Sequence, residues 1–426
     1  MNHKSSAMNF PTLDRQKEIY LNGFAGISPT IPASFTELEN AAKKILSPQA
    51  YAYIAGGAGN ESTLRGNTQS FEKYKIIPRM LCNVSMRDTS IELFGQKLKS
   101  PILLAPVGVL ELAYRQADVD VAKAAASLSV PYIFSNQASK PMEEVSSVMG
   151  NSPRWFQLYW SKSNELVKSF VTRAEKCGCS AIVVTLDTTM LGWRTRDLDM
   201  AYLPFLEGRG IAQYTSDPVF QKLMDEAEPQ SKRKITWQTI GGLIQMTNNY
   251  PGDNFFSKLK SGRQIKAVQK FVSIYSNPAL TWNDLKYLRE ISKLPVLLKG
   301  ILHPDDARKA IDFGMNGIIV SNHGGRQVDG SISTIDALSP IVDVVQNKTP
   351  VLMDSGIRGG ADIFKALALG AKAICIGRPY VYGLSVAGEA GVKEVLQNML
   401  TDFELTMGLS GCKNVSEISR ENILLS

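Results

Sequence analysis

Residues 350–379 read PVLMDSGIRGGADIFKALALGAKAICIGRP. Two short apolar runs, PVLMD (350–354) and AICIG (373–377), flank a stretch that closes at Gly370, the residue type that most often follows the last turn of a helix. Each run is followed at once by glycine and arginine. A strand, a Gly/Arg turn, a helix and a second strand make one β/α repeat, and its strands must be parallel because a helix carries the chain back between them.

The same alternation recurs towards the N-terminus. Six further runs read as strands: PILLAP (101–106), PYIFS (131–135), RWFQLY (154–159), AIVVTLD (181–187), PVLLK (295–299) and GIIVS (317–321). Apolar on both faces and separated by helices, they describe a parallel sheet covered on both sides. Helix punctuation agrees: Pro141 and Pro304 suit first turns, Gly178, Gly314 and Gly370 suit the position after the last turn, and Thr281 with Asp284 forms a capping box. Eight such units close into an α/β (β/α)8 TIM barrel, a doubly wound sheet being the alternative. Residues 34–80 read as a mainly helical N-terminal segment outside or beneath a barrel spanning 101–390, all within one domain, 1–426. More than one hundred residues separate the fourth and fifth strands, so 195–280 is expected to be an insertion on the catalytic face, a lid.

Composition narrows the function. At 44% hydrophobic and 20% charged, the chain can bury a large core. MNHKSSAMNF lacks the apolar centre of a secretory signal, no stretch is long and apolar enough to span a bilayer, and five scattered cysteines read as reduced thiols, so the expected location is cytoplasmic. Cys177 and Cys179 are read as packing residues. The +7 charge is concentrated at Lys222, Lys232, Arg233, Lys234, Lys258, Lys260, Arg263, Lys266 and Lys270, without the interleaved aromatics of a nucleic-acid groove. No nucleic-acid partner is expected. Three histidines without an H-x-H pair argue against a metal-dependent hydrolase, and no metal is assigned.

Reacting groups in a barrel come from the C-terminal ends of its strands, and polar residues gather there: Gln157 and Tyr159, Thr185 and Asp187, Lys299, Ser321 and His323, and Asp354. Gly356, Arg358, Gly377 and Arg378 after the last two strands suit a phosphate, with a helix N-terminus beyond Arg358; a purely structural turn pairing Arg358 with Asp362 is the alternative. Lys299 suits either the edge of a flavin or a Schiff base.

SNHGGRQVDG (321–330), DSGIRGGADIFKALALGA (354–371) and IGRPYVYGL together resemble the FMN-dependent α-hydroxy acid oxidase family, from about YAYIAGGAGNESTLRGN to FELTMGLSGCKNVSEI. GWRTRDLD, YTSDPVF and the long insertion are most similar to its lactate 2-monooxygenase branch. The resemblance implies FMN as cofactor. It implies His323 as base, Asp187 as its orienting carboxylate, Arg194 and Arg326 as a carboxylate clamp, and Tyr53 and Tyr159 as substrate contacts. Pro106, Val107, Gly108, Ser135, Gln157, Thr185, Lys299 and Ser321 would surround the flavin ring, and Asp354, Ser355, Gly356, Ile357, Arg358, Gly377 and Arg378 would hold its ribityl phosphate. The implied reaction is oxidation of L-lactate or a similar small L-2-hydroxy acid by O2, with decarboxylation to acetate, CO2 and water, by a tetramer or octamer.

Two alternatives stay open: an oxidase releasing keto acid and H2O2, or a quinone-linked dehydrogenase laid on a membrane by SKRKITWQTIGGLIQM. Gly324 and Gly325 are expected to let imidazole and guanidinium approach one small anion. Gly108 stands where many relatives carry alanine and is expected to open space beside the flavin. Gln137 stands where relatives often carry an aromatic residue. NNYPGDNFFSKLKSGRQIKAV is unassigned.

Overall fold

The computed structural model describes residues 11–226, 237–252 and 254–426. Its centre is a closed barrel of eight parallel strands, β1 (Ile102–Leu104), β2 (Tyr132–Phe134), β3 (Arg154–Leu158), β4 (Ile182–Thr185), β5 (Val296–Ile301), β6 (Gly317–Val320), β7 (Val351–Met353) and β8 (Ala373–Ile376), each hydrogen-bonded to the next. Closure comes from β8 pairing with β1, Ile374 opposite Ile102 and Ile376 opposite Leu104. The eight strands are the eight expected runs, and the doubly wound alternative is ruled out by that closing pair.

The two-residue period of a strand assigns every side chain a face. Ile102, Leu104, Phe134, Phe156, Val184, Leu298, Val320 and Ile374 point outward into the helical shell. Leu103, Ile133, Trp155, Val183, Leu297, Ile319, Leu352 and Cys375 point inward and form a second core with Leu93 and Leu98. Those last two belong to a hairpin, Ile91–Leu93 with Gln96–Leu98, which plugs the N-terminal end of the barrel and which the sequence reading left out. Its turn residues Phe94 and Gly95 both have positive φ, 52° and 73°, the backbone of a tight two-residue hairpin. The Phe94 ring then lies 5.6 Å from that of Trp155.

Other expectations need correction. Residues 34–80 form helices (Phe35–Ile45, Pro48–Ala55, Ser62–Gln69) that, of the two expected placements, lie outside the barrel, over its C-terminal mouth, and not beneath it; the segment ends in an unexpected strand, Tyr74–Ile76, paired with Ile423–Leu425. They are held there by polar contacts to the β6 loop, including a reciprocal amide pair between Asn67 and Asn322 at 2.7 and 2.8 Å. Pro141 precedes the helix Met142–Ser147 instead of opening its first turn, whereas Pro304 does open Pro304–Asp312. An unassigned N-terminal helix, Pro11–Phe24, is anchored by Arg15 to Glu394 and Asn398. Cys179 is buried and Cys177 half-buried beside it, as packing residues.

The insertion is a packed helical cap. Phe205, Ile211, Tyr214, Phe220, Val268 and Phe271 are buried together, and Tyr214 meets Phe170 of the barrel's helical shell edge-on at 5.0 Å. Buried Asp217 pairs with Arg173 at 3.0 Å and caps the helix Pro218–Leu223. The unassigned stretch forms Phe255–Ser261 and Arg263–Ile274; Asp253, like Lys232, Arg233 and Lys234 of the basic run, lies outside the described residues. Among the described residues no helix is long and apolar enough to cross a membrane.

Trp155 joins plug to barrel. Trp155→Ala should lower the free energy of unfolding by about 3–5 kcal/mol, read as a lower denaturant midpoint, since collapse around so large a void is only partial. An unchanged midpoint would show that the hairpin does not brace the barrel.

Candidate active site

Above the apolar inner layer, the next inward position on six strands or strand ends is polar: Ser135, Gln157, Thr185, Lys299, Ser321 and Asp354, all buried. Buried polar groups must be paired, and these pair around the ring. Gln157 Oε1 accepts from Ser135 Oγ at 3.2 Å and from the Asn136 N–H at 3.3 Å, while its Nε2 donates to Thr185 Oγ1 at 2.9 Å. Lys299 Nζ donates to Ser321 Oγ at 2.8 Å and pairs with Asp354 at 3.2 Å. Burial alone would lower the Lys299 pKa, but the Asp354 and Asp187 carboxylates outweigh it and raise it, so the ammonium stays charged. A Schiff-base role, which needs a neutral amine, is disfavoured.

Over this ring opens a cavity of about 1100 Å³, counting its mouth, lined by Tyr53, Pro106, Val107, Gly108, Tyr159, Arg194, Lys299, His323, Arg326, Asp354, Ser355, Gly356, Ile357, Arg358, Gly377 and Arg378 among others. Five expected residues, Ser135, Gln157, Thr185, Asp187 and Ser321, stand behind this lining and orient it. The sequence reading missed Thr188, Leu191, Phe205 and Tyr275, which also line the cavity. Phe205 and Tyr275 come from the insertion, whose register to the barrel no local pattern encodes.

His323 follows β6 with φ at +59°, and Gly324 and Gly325 continue at +64° and +76°. Three successive left-handed residues turn the chain sharply enough to present the imidazole inward. The glycines also serve a purpose beyond the expected one: a Cβ on Gly324 would stand 2.9 Å from Arg378 Nη1, and one on Gly325 would stand 2.6 Å from the Leu64 backbone nitrogen. They admit a second guanidinium and the N-terminal helices.

His323 Nδ1 lies 2.8 Å from Asp187 Oδ1, with the Thr188 hydroxyl 3.0 Å from that oxygen and 3.2 Å from Nδ1. A carboxylate can only accept, so Nδ1 carries the proton and Nε2 keeps its lone pair. Nε2 is 3.5 Å from the Tyr159 hydroxyl. Burial, with Lys299 and Arg194 nearby, lowers the His323 pKa against the opposing pull of Asp187. Burial would raise that of Asp187, but His323 and Lys299 hold it down at about 2. The pair at neutral pH is therefore imidazole and carboxylate.

Arg194 and Arg326 flank Tyr53, with guanidinium carbons 5.9 and 4.9 Å from its ring centre. Arg326 donates to the Tyr53 and Gly56 carbonyls, and Arg194 to the Arg326 carbonyl and the Gln327 side chain. Gln327 was also missed; its amide donates to the Asp187 and Met190 carbonyls, tying the β4 loop to the β6 loop. Its place directly after Arg326 was the available signal. Arg378 donates to the Ile54, Gly56 and Gly324 carbonyls, sharing the Gly56 carbonyl with Arg326. Arg358 stacks on Phe35 at 4.3 Å and leaves a buried Nε without a partner.

Among the described residues none of these four arginines has a carboxylate at ion-pair distance. Burial and neighbouring cations push Arg326 down to about 9 and Arg358 down to about 10. The helix N-terminus beyond Arg358 offers less than expected, because Asp362 takes the Arg358 N–H and Asp402 takes the Gly360 N–H. Asp362 thus accepts from the backbone of Arg358 and not from its side chain. Four guanidinium groups without a carboxylate partner among the described residues thus line one cavity, Arg326 and Arg378 sharing the Gly56 carbonyl, and they suit the anionic groups of an occupant.

The chain matches the family model described as FMN-dependent dehydrogenase over residues 42–425. It is 42% identical over 393 residues to an FMN-dependent alpha-hydroxy acid dehydrogenase of Penicillium citrinum, covering 92% of this chain and 90% of that one. It is 39% identical over 384 residues to an L-lactate oxidase of Lysinibacillus sphaericus, covering 90% of each. A crystal structure of mandelate oxidase with (S)-4-hydroxymandelic acid superposes with a TM-score of 0.77 at 34% identity, over 93% of this chain and 99% of that one.

The electrostatics predict the titration of His323 followed by imidazole NMR. Its midpoint should fall below 6.5, and Asp187→Asn should move it lower still, because the carboxylate is the main group favouring imidazolium. A midpoint above 7, or an upward move in the variant, would contradict the pairing.

Proposed function

The chain belongs to the FMN-dependent dehydrogenase family and is an FMN-dependent α-hydroxy acid oxidoreductase; from that premise we propose that it oxidises L-lactate or a similar small L-2-hydroxy acid with O2 and decarboxylates the product within the cavity. One observation carries the reading: a neutral imidazole held by Asp187 faces the same cavity as two guanidinium groups that lack a carboxylate partner.

FMN fits the residues present. Arg358 with its orphaned Nε and Arg378 would take the phosphate, Gly377 lines the cavity beside them, and Asp354, Ser355, Gly356 and Ile357 would line the ribityl chain. Pro106, Val107, Gly108, Ser135, Gln157, Thr185, Lys299 and Ser321 would face or support the ring. When bound, FMN supplies the two-electron acceptor for the α-hydrogen and is reoxidised by O2.

The remaining work falls to the protein. Arg194 and Arg326 grip the substrate carboxylate, and that grip orients the 2-hydroxyl towards His323 Nε2 and the Tyr159 hydroxyl. His323 takes the hydroxyl proton as the α-hydrogen leaves, and Asp187 stabilises the imidazolium through Nδ1–H. Below the His323 pKa the base is already protonated, so kcat/KM should rise with pH through that pKa and then level. Phe205 and Tyr275 from the insertion line the cavity with aromatic rings. Retention of the keto acid beside H2O2 in this cavity favours the net reaction lactate plus O2 to acetate, CO2 and water. Release of keto acid and H2O2 is the second reading, favoured by the similarity to an L-lactate oxidase.

Five free thiols suit the reducing cytoplasm. Exposed Met190, Trp193, Leu198 and Leu206 near the mouth suit burial in a tetramer or octamer.

His323→Gln should still bind FMN and stay yellow, yet bleach with lactate about 10²–10⁴-fold more slowly, as loss of a general base requires. Undiminished bleaching would remove His323 from the chemistry. Product analysis of the wild-type enzyme should find acetate and CO2; stoichiometric H2O2 with free keto acid and no CO2 would overturn the decarboxylating reading.

A further inference from the structure

Gln137 lies in the loop after β2, and its main chain is fully engaged: the N–H donates to Ser135 Oγ at 3.1 Å and the carbonyl accepts from Val109 at 2.9 Å. Its side chain is not. The residue is only 8% exposed, lines the cavity, and has no hydrogen bond to its amide among the described residues. The amide keeps its water only through the cavity, and an occupant that displaces this water must replace its hydrogen bonds or leave the amide desolvated. The barrel supplies none, so the complement must come from the cavity's occupant.

Its surroundings say which part of the occupant. A Cβ on Gly108 would come 3.1 Å from Gln137 Cβ and 3.6 Å from Oε1, so the space expected beside Gly108 is partly taken by this side chain. A Cβ on Gly210 would touch both the Gln137 carbonyl, at 3.1 Å, and the Phe205 ring, at 3.2 Å. Phe205 in turn lies 6.3 Å from Tyr275, which borders Arg194 and Tyr53. Gln137, Phe205 and Tyr275 therefore form one wall leading away from the carboxylate clamp, and a substrate gripped by Arg194 would extend its side chain along it.

We propose that Gln137 is a specificity-determining residue that selects 2-hydroxy acids carrying a neutral hydrogen-bonding group, a hydroxyl or carboxamide, on C3 or C4. The amide both donates and accepts, which matches either group, while the flanking aromatic rings disfavour a second charge. An alkyl side chain longer than the methyl of lactate would seal the amide away from water without a partner, and sites built to hydrogen-bond reject analogues that cannot. The inference rests on the reading of this cavity as a 2-hydroxy acid site.

L-Glycerate and L-2-hydroxybutanoate differ at the side-chain terminus by a hydroxyl in place of a methyl, and they make the test. The FMN-loaded enzyme should show kcat/KM at least about tenfold higher for glycerate. Gln137→Leu should reverse the order, losing on glycerate and gaining on 2-hydroxybutanoate. Calorimetric Kd values for hydroxypyruvate and 2-oxobutanoate should show the same preference without turnover. A wild-type preference for 2-hydroxybutanoate, or equal Kd values for the two keto acids, would overturn the assignment of Gln137 while leaving the functional reading intact. If neither acid nor lactate bleaches the bound FMN, the reading of the cavity itself fails.

Discussion

The hydrogen bond between His323 Nδ1 and Asp187 Oδ1, 2.8 Å long, joins the ends of β4 and β6 across the top of the barrel. It is possible only if the barrel closes in the observed register, because Asp187 must fall on the inward phase of its strand and His323 must be turned back by three left-handed residues. In exchange it fixes one tautomer and frees Nε2 towards the cavity. Without it the imidazole would face the arginines with neither orientation nor a means to stabilise the proton it gains. The supports around it, Thr188 on the carboxylate and Gln327 on the Asp187 carbonyl, maintain that one geometry.

Around this pair the protein accepts a standing electrostatic cost. Among the described residues four guanidinium groups sit at the cavity without carboxylate partners, and two, Arg326 and Arg358, are pushed well below the usual arginine range by burial and by neighbouring arginines. Such an arrangement disfavours the empty folded state, and anionic groups bound among the arginines relieve it. Backbone carbonyls from the N-terminal segment partly compensate, which explains why that segment sits on the mouth and why Gly324 and Gly325 are needed beneath it. Binding strength and the placement of residues 34–80 are thus consequences of one constraint.

Much of this was legible in the chain, and the limits have physical causes. The eight strands announce themselves because a sheet buried on both faces needs unbroken apolar runs, and the polar ring is visible because the two-residue period carries it to the strand ends. Asp187, His323, Lys299 and the arginines were found by that logic together with the family resemblance. The plug hairpin was missed because its strands have three residues each, too short to show alternation. Phe205 and Tyr275 were missed because the cap reaches the site through tertiary packing alone. The second role of the β6 glycines, making room for Arg378 and the Leu64 backbone, was not legible because what a missing Cβ makes room for depends on neighbours distant in sequence.

The most direct measurement is a crystal structure of the FMN-loaded protein with a bound, unreactive 2-oxo acid. The account predicts its carboxylate between Arg194 and Arg326 and its 2-oxygen within hydrogen-bond distance of His323 Nε2 and the Tyr159 hydroxyl. A carboxylate lodged instead on Lys299, or a ligand whose oxygen faces away from His323, would contradict it.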